Sequence, residues 1–90
     1  MCRNIKPLYH YEPPATDADI LASALQYVRK VSGFTRPSRA NEAAFEAAVA
    51  RVSDATRLLL AELTTSAPVR DRAQEVRRAR ERRAQRTLQQ

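Results

Sequence analysis

Residues 15–63 read ATDADILASALQYVRKVSGFTRPSRANEAAFEAAVARVSDATRLLLAEL, and their punctuation predicts a helix, a turn and a second helix. Thr16-Asp17-Ala18-Asp19 resembles a capping box with Asp in place of the usual Glu or Gln. Its two carboxylates suit the positive end of a helix dipole, and Pro13-Pro14 keep the helix from starting earlier. Leu21, Ala24, Leu25, Val28 and Val31 then recur at helical spacing, with Ile20 and Tyr27 widening the stripe. Arg29 and Lys30 occupy the last turns, Gly33 can take the left-handed backbone of a helix stop, and Phe34 can fold back onto the turn before it. Thr35-Arg36-Pro37-Ser38 form the turn. Ser38 or Asn41, both good caps, starts the second helix. Phe45, Ala48, Val49, Val52, Ala55 or Thr56, Leu59 and Leu63 form its apolar stripe, opposite Glu42, Glu46, Arg51, Asp54 and Arg57. Two stripes joined by a short connection predict an antiparallel hairpin, with alanines at 24, 44, 47, 48 and 55 allowing close approach.

Outward from this core (15–65) lie an N-terminal arm (1–14) and an arginine-rich tail (66–90). Pro7, Pro13 and Pro14 exclude a regular helix in the arm. Its Ile5, Leu8, Tyr9 and Tyr11 are expected to pack on the hairpin, because about fifty residues alone bury too little surface for more than marginal stability. A third helix can start at Ser66, with Pro68 in its first turn. Only Val69, Ala73, Val76 and Leu88 hint at a stripe there, and Arg80 and Arg83 interrupt it. The composition favours helix, so the tail is expected to project as a partly frayed helix that orders fully on something acidic. The fold class expected is all-α: an antiparallel helical hairpin, an arm across it, and a protruding basic C-terminal helix.

Ninety residues with one Gly and no Trp fit one small helical domain better than a sheet. A single Cys excludes an internal disulfide and a cysteine-built zinc site, and suits a reducing cytoplasm. No apolar run nears the roughly 20 residues needed to cross a bilayer, so no membrane is expected. The short basic start lacks an apolar segment, which argues against a signal peptide. Net charge is +6, and it is uneven. From Arg70 onward eight arginines face Asp71, Glu75 and Glu81, a net of +5, whereas residues 1–69 carry only +1. The basic character belongs to the tail.

That tail holds the strongest functional signal. Arg70, Arg72, Arg77, Arg78, Arg80, Arg82, Arg83 and Arg86 point to several sides of a helix, and guanidinium groups bind phosphate oxygens bidentately while staying charged. Structured RNA, ribosomal RNA included, is therefore the expected partner. The plainer alternative is a solvated charged terminus, with Glu75 and Glu81 paired to arginines three or four positions away. The tail has no aromatic residue for base stacking. Arg36 and Arg39, beside Ser38 at the start of the second helix, are a secondary candidate for an anion contact, set against an ordinary capped turn. Cys2, exposed as an N-terminal thiol if Met1 is removed, invokes N-terminal-nucleophile chemistry, but ninety helical residues cannot supply the sandwich fold around it. Cys2 and His10 are too few for a metal site. His10 is expected to sit between Tyr9 and Tyr11. With no Gly-rich phosphate loop, carboxylate pair or Ser/His/Asp set, no enzyme activity, cofactor or small-molecule substrate is expected. A helix-turn-helix DNA reader fits poorly, because the second helix is long and its exposed face mixes acids with bases.

Met1-Cys2-Arg3-Asn4-Ile5-Lys6, Glu12-Pro13-Pro14-Ala15-Thr16 and Val28-Arg29-Lys30-Val31-Ser32-Gly33-Phe34, with Pro37-Ser38 and Asn41-Glu42, resemble a bacterial family of short proteins catalogued as a domain of unknown function. The resemblance runs from Met1 to about Leu63 and is not extended over the arginine tail. It implies a bacterial origin and a small helical protein, and it supplies no activity. Tyr9-His10-Tyr11 departs from the Phe-containing version of that family, which weighs against His10 as a required group. The function expected is a non-enzymatic accessory protein binding structured RNA. The alternative is a homodimeric interaction module, two hairpins forming a four-helix bundle, whose tail docks on an acidic protein.

Overall fold

The computed structural model describes residues 5–88, so Cys2 and the Met1-to-Asn4 part of the opening motif lie outside the described residues. In chain order the elements are β1 (Tyr11–Glu12), α1 (Asp17–Ser32), a single 3-10 turn (Arg39–Asn41), α2 (Glu42–Glu62), β2 (Arg70–Asp71) and α3 (Arg72–Leu88). The fold is mainly helical, with α1 and α2 packed as the expected hairpin. No helix among the described residues is long and apolar enough to cross a membrane.

The two ends of α1 follow its sequence closely. Thr16 is extended; its Oγ1 accepts from Asp19 N (3.2 Å) and its own N–H donates to Asp19 Oδ2 (2.8 Å), a complete capping box. That backbone donor, then the Thr16 side chain, holds the Asp19 carboxyl below its ordinary range. At the other end Gly33 has φ +79° and donates to Arg29 O at 2.9 Å. The Arg29 guanidinium Nε donates to Thr35 O (3.0 Å) and pins the turn, while Phe34 is left 44% exposed.

The buried line of α1 is Ile20, Ala24 and Val28. Ala24 and Val28 belong to the expected stripe and Ile20 to its widened edge; Leu21 and Val31, 52% and 69% exposed, are corrected out of it. Residues four apart make one straight ridge; with Leu21 and Leu25 beside it in a second apolar row, periodicity alone does not choose between the two. Facing that ridge, α2 contributes Ser53, buried and with its hydroxyl unpartnered, where the expected stripe had named larger residues. Leu59 of that stripe is instead 53% exposed and Leu63 42%. Neither Ser38 nor Asn41 caps α2 through its side chain. Asn41 Nδ2 donates to Ser38 Oγ at 2.8 Å, and the two satisfy each other across the 3-10 turn. Arg57 of α2 ties the hairpin's open end, with Nε 3.1 Å from Asp17 Oδ1 and Nη1 2.9 Å from Asp54 Oδ1.

The arm lies along the hairpin. Ile5 and Leu8 line a crevice with Ala24 and Tyr27 of α1 and with Val52, Thr56 and Leu60 of α2, and the stretch from Leu8 to Tyr11 continues past Ile20 and Leu60. Beyond α2 the expected start of a helix at Ser66 is corrected: the chain stays irregular, then extends through Arg70–Asp71, and α3 begins at Arg72. Asp71 Oδ1 accepts from Gln74 N at 2.9 Å, so Asp71 is the cap. Arg70 and Asp71 cannot be helical because they pair in parallel with Tyr11 and Glu12, a two-residue sheet.

Candidate functional site

The joint between arm and α3 is built around Tyr11. Its ring is only 8% exposed, and its hydroxyl donates to Glu75 Oε2 at 2.6 Å. The guanidinium carbons of Arg70 and Arg72 lie 4.6 Å and 4.4 Å from the ring centroid, within the range of cation–π attraction. Bonding to Glu75, reinforced by burial, raises the Tyr11 pKa above its ordinary value, with Arg70 and Arg72 opposing the rise. Arg70 also donates through Nη2 to Tyr9 O (2.9 Å) and through its backbone N–H to His10 O (2.9 Å). His10, at φ +64°, stacks on Tyr9 (5.5 Å between centroids) and places Nε2 2.8 Å from Ala67 O. It is thus an anchor for the segment before α3, stacked on one tyrosine instead of held between two.

These contacts divide the ten candidate arginines. Arg70 and Arg72 are engaged in the joint. Arg77, Arg78, Arg80, Arg82, Arg83 and Arg86 are exposed along α3. Both ion pairs among the described residues belong to Arg57, so no arginine of α3 is paired with a carboxylate. The expected pairing of Glu75 with a neighbouring arginine gives way to its bond with Tyr11. Arg36 and Arg39 stand elsewhere: they rim an apolar groove of about 680 Å³ at the turn end of the hairpin, with Leu21, Leu25, Pro37, Phe45 and Val49. Most of the length of α1, about 24 Å for sixteen residues, separates that end from the arm joint.

One face of α3 meets the arm across an open groove of about 630 Å³. Arg72, Glu75, Val76, Ala79, Arg82 and Arg83 line it from the helix, with Arg78 at its edge, and Lys6, Pro7 and Tyr11 line it from the arm. Spacings of three and four residues put this set on a single side of the helix, and Arg77 and Arg80 fall outside it. No local signal announces the groove, because Lys6 and Arg82 come together through long-range contacts between arm and α3: the two-residue sheet and the side-chain bonds of Tyr11 and Arg70. The signal within reach was Asp71-x-x-Gln74, a cap spacing that moves the helix start from Ser66 to Arg72.

Over residues 1–78 the sequence matches a family described as "Uncharacterized conserved protein (DUF2277)". The chain belongs to the DUF2277 family. The DUF2277 match continues past Leu63, where the sequence resemblance had been expected to stop, and takes in β2 and the first two turns of α3. It therefore covers Arg70, Arg72 and Glu75, all of which touch Tyr11, and ends at Arg78. The five turns' worth of arginine-bearing helix thus splits into a jointed base inside the DUF2277 match and an outer part, Ala79 to Leu88, beyond it. No curated protein and no solved structure matches the chain.

Proposed function

We propose that this chain is a non-enzymatic accessory protein of the bacterial cytoplasm that binds structured RNA, ribosomal RNA being the partner in view, through the arginines of α3. The observation that carries the reading is the uncompensated charge of that helix. Arg77, Arg78, Arg80, Arg82, Arg83 and Arg86 are exposed, and among the described residues none has a carboxylate within ion-pair distance. A fixed row of free guanidinium groups gains most from a dense polyanion. Helical order in the tail supports the reading further, since less ordering entropy is then lost on binding than for a disordered arginine run. Arg36 and Arg39 would be a secondary contact at the far end of the hairpin.

Backbone-driven binding has a defined signature. The logarithm of the affinity for RNA should fall linearly with the logarithm of salt concentration, with a slope of about −3 to −5 if four to six phosphates are met. A flat salt dependence, or no association with RNA at low salt, would sink the reading.

A second reading, a homodimer, rests on a different observation. Leu21, Leu25, Phe45 and Val49 line an uncovered groove, and the buried apolar set is only Tyr11, Ile20, Ala24 and Val28. Pairing two hairpins as a four-helix bundle would cover the groove, leaving the tail to dock on an acidic protein. Light scattering at micromolar concentration separates the two: a mass of twice 10.2 kDa favours the bundle, and a monomer removes it.

A further inference from the structure

We infer that the groove between the arm and α3 holds one unpaired, extended strand of such an RNA by about three to four consecutive phosphates, and does not take its duplex parts. This rests on the RNA reading above and assigns it a substrate class and a site. From Arg72 to Arg83 the groove runs about 16 Å along the helix. Its volume of about 630 Å³ over that length gives a mean section of about 40 Å², room for one backbone between the walls and not for two paired strands.

Charge comes from both walls. Lys6 stands on the arm, with Arg78, Arg82 and Arg83 on the helix. Arg72 adds field without being a contact: its guanidinium lies against Tyr11, and its Nη2 is buried with no acceptor. The single acid in the groove, Glu75, already accepts from the Tyr11 hydroxyl. Tyr11 offers no platform for a base, since its ring is buried and stacked by Arg70 and Arg72. Recognition is therefore of the backbone and tolerant of sequence.

Lys6 makes the inference testable, because it lies outside the arginine-rich tail and meets α3 only across the groove. Binding of the full chain is measured by fluorescence anisotropy with two labelled probes, a single-stranded RNA of about 12 nucleotides and an RNA duplex of about 12 base pairs. Lys6→Glu is compared with Arg51→Glu, an equal-sized reversal of charge on α2, outside the groove. Both positions are exposed, and circular dichroism should show unchanged helix content for each. The groove predicts that the strand binds about tenfold tighter than the duplex, that Lys6→Glu weakens the strand about tenfold, and that Arg51→Glu does so by about threefold or less. If the duplex binds as well as the strand, or if Arg51→Glu costs as much as Lys6→Glu, the groove is overturned while the RNA reading stands. If neither probe binds, the RNA reading fails and the groove falls with it.

Discussion

Replacing Tyr11 by Phe removes one oxygen and with it the 2.6 Å bond to Glu75. The ring, its burial and its two stacked guanidinium groups remain. A partly buried hydrogen bond to a carboxylate is worth about 1–2 kcal/mol, so Tyr11→Phe should lower the unfolding free energy by that much, read as a lower urea midpoint, and loosen the seam between arm and α3. Linkage gives the same joint a pH dependence. The folded-state pKa of Tyr11 is raised, so its contribution is complete below the unfolded value of about 10 and is lost as pH rises through the folded value. Alkaline titration followed by circular dichroism should show wild type losing stability in that window and Tyr11→Phe losing less. Asp19 runs the other way. Its lowered pKa means that the α1 cap contributes fully above the ordinary carboxylate range and weakens as pH falls below about 4. Asp19→Asn should flatten that acid limb, and Thr16→Ala, which keeps the backbone donor, should only reduce it.

At the scale of single elements, the two hairpin helices give predictions of opposite sign. Gly33 sits at φ +79° with nothing within 4 Å of where a Cβ would stand. The cost of Gly33→Ala is therefore backbone strain alone, about 1 kcal/mol, read as a lower thermal midpoint. Ser53 has a buried hydroxyl with no partner. Ser53→Ala should raise stability by about 0.5–1 kcal/mol, since it removes an unsatisfied group and improves helix propensity. What could be read in advance follows the same division. Both ends of α1 were legible because a capping box and a left-handed glycine are local chemistry, written in adjacent residues. The start of α3 was misplaced to Ser66 because Pro68 and Ser66 form a respectable signal, and what overrides it is the pairing of Arg70 with Tyr11. A two-residue strand has no period to detect. The groove was illegible for the same reason: its two walls are joined by contacts between residues some sixty positions apart. The arginines themselves were plain, but not their division into Arg70 and Arg72, which brace Tyr11, and the six left free.

Over the whole molecule, shape follows from that division. A compact chain of this length would have a radius of gyration of about 12 Å; the observed 16.6 Å and extents of 50 × 37 × 18 Å reflect a helix standing off the hairpin. The arm is the bracket between them, with Ile5 and Leu8 against α1 and α2 and with Tyr11 against α3. An apolar core this thin makes the hairpin sensitive. Ile20→Ala should cost about 2–4 kcal/mol and leave little folded chain at room temperature, as judged by urea denaturation. The held-off helix is the feature that function would use, because it presents six free guanidinium groups at a distance from the hairpin surface. The most direct measurement is the affinity of the full chain for a labelled RNA across a salt series, before and after Arg77, Arg78, Arg80, Arg82, Arg83 and Arg86 are replaced by Gln. The expected result is a loss of about a hundredfold or more at low salt and a slope that collapses toward zero. An unchanged affinity with an unchanged slope would contradict the assignment of RNA binding to α3.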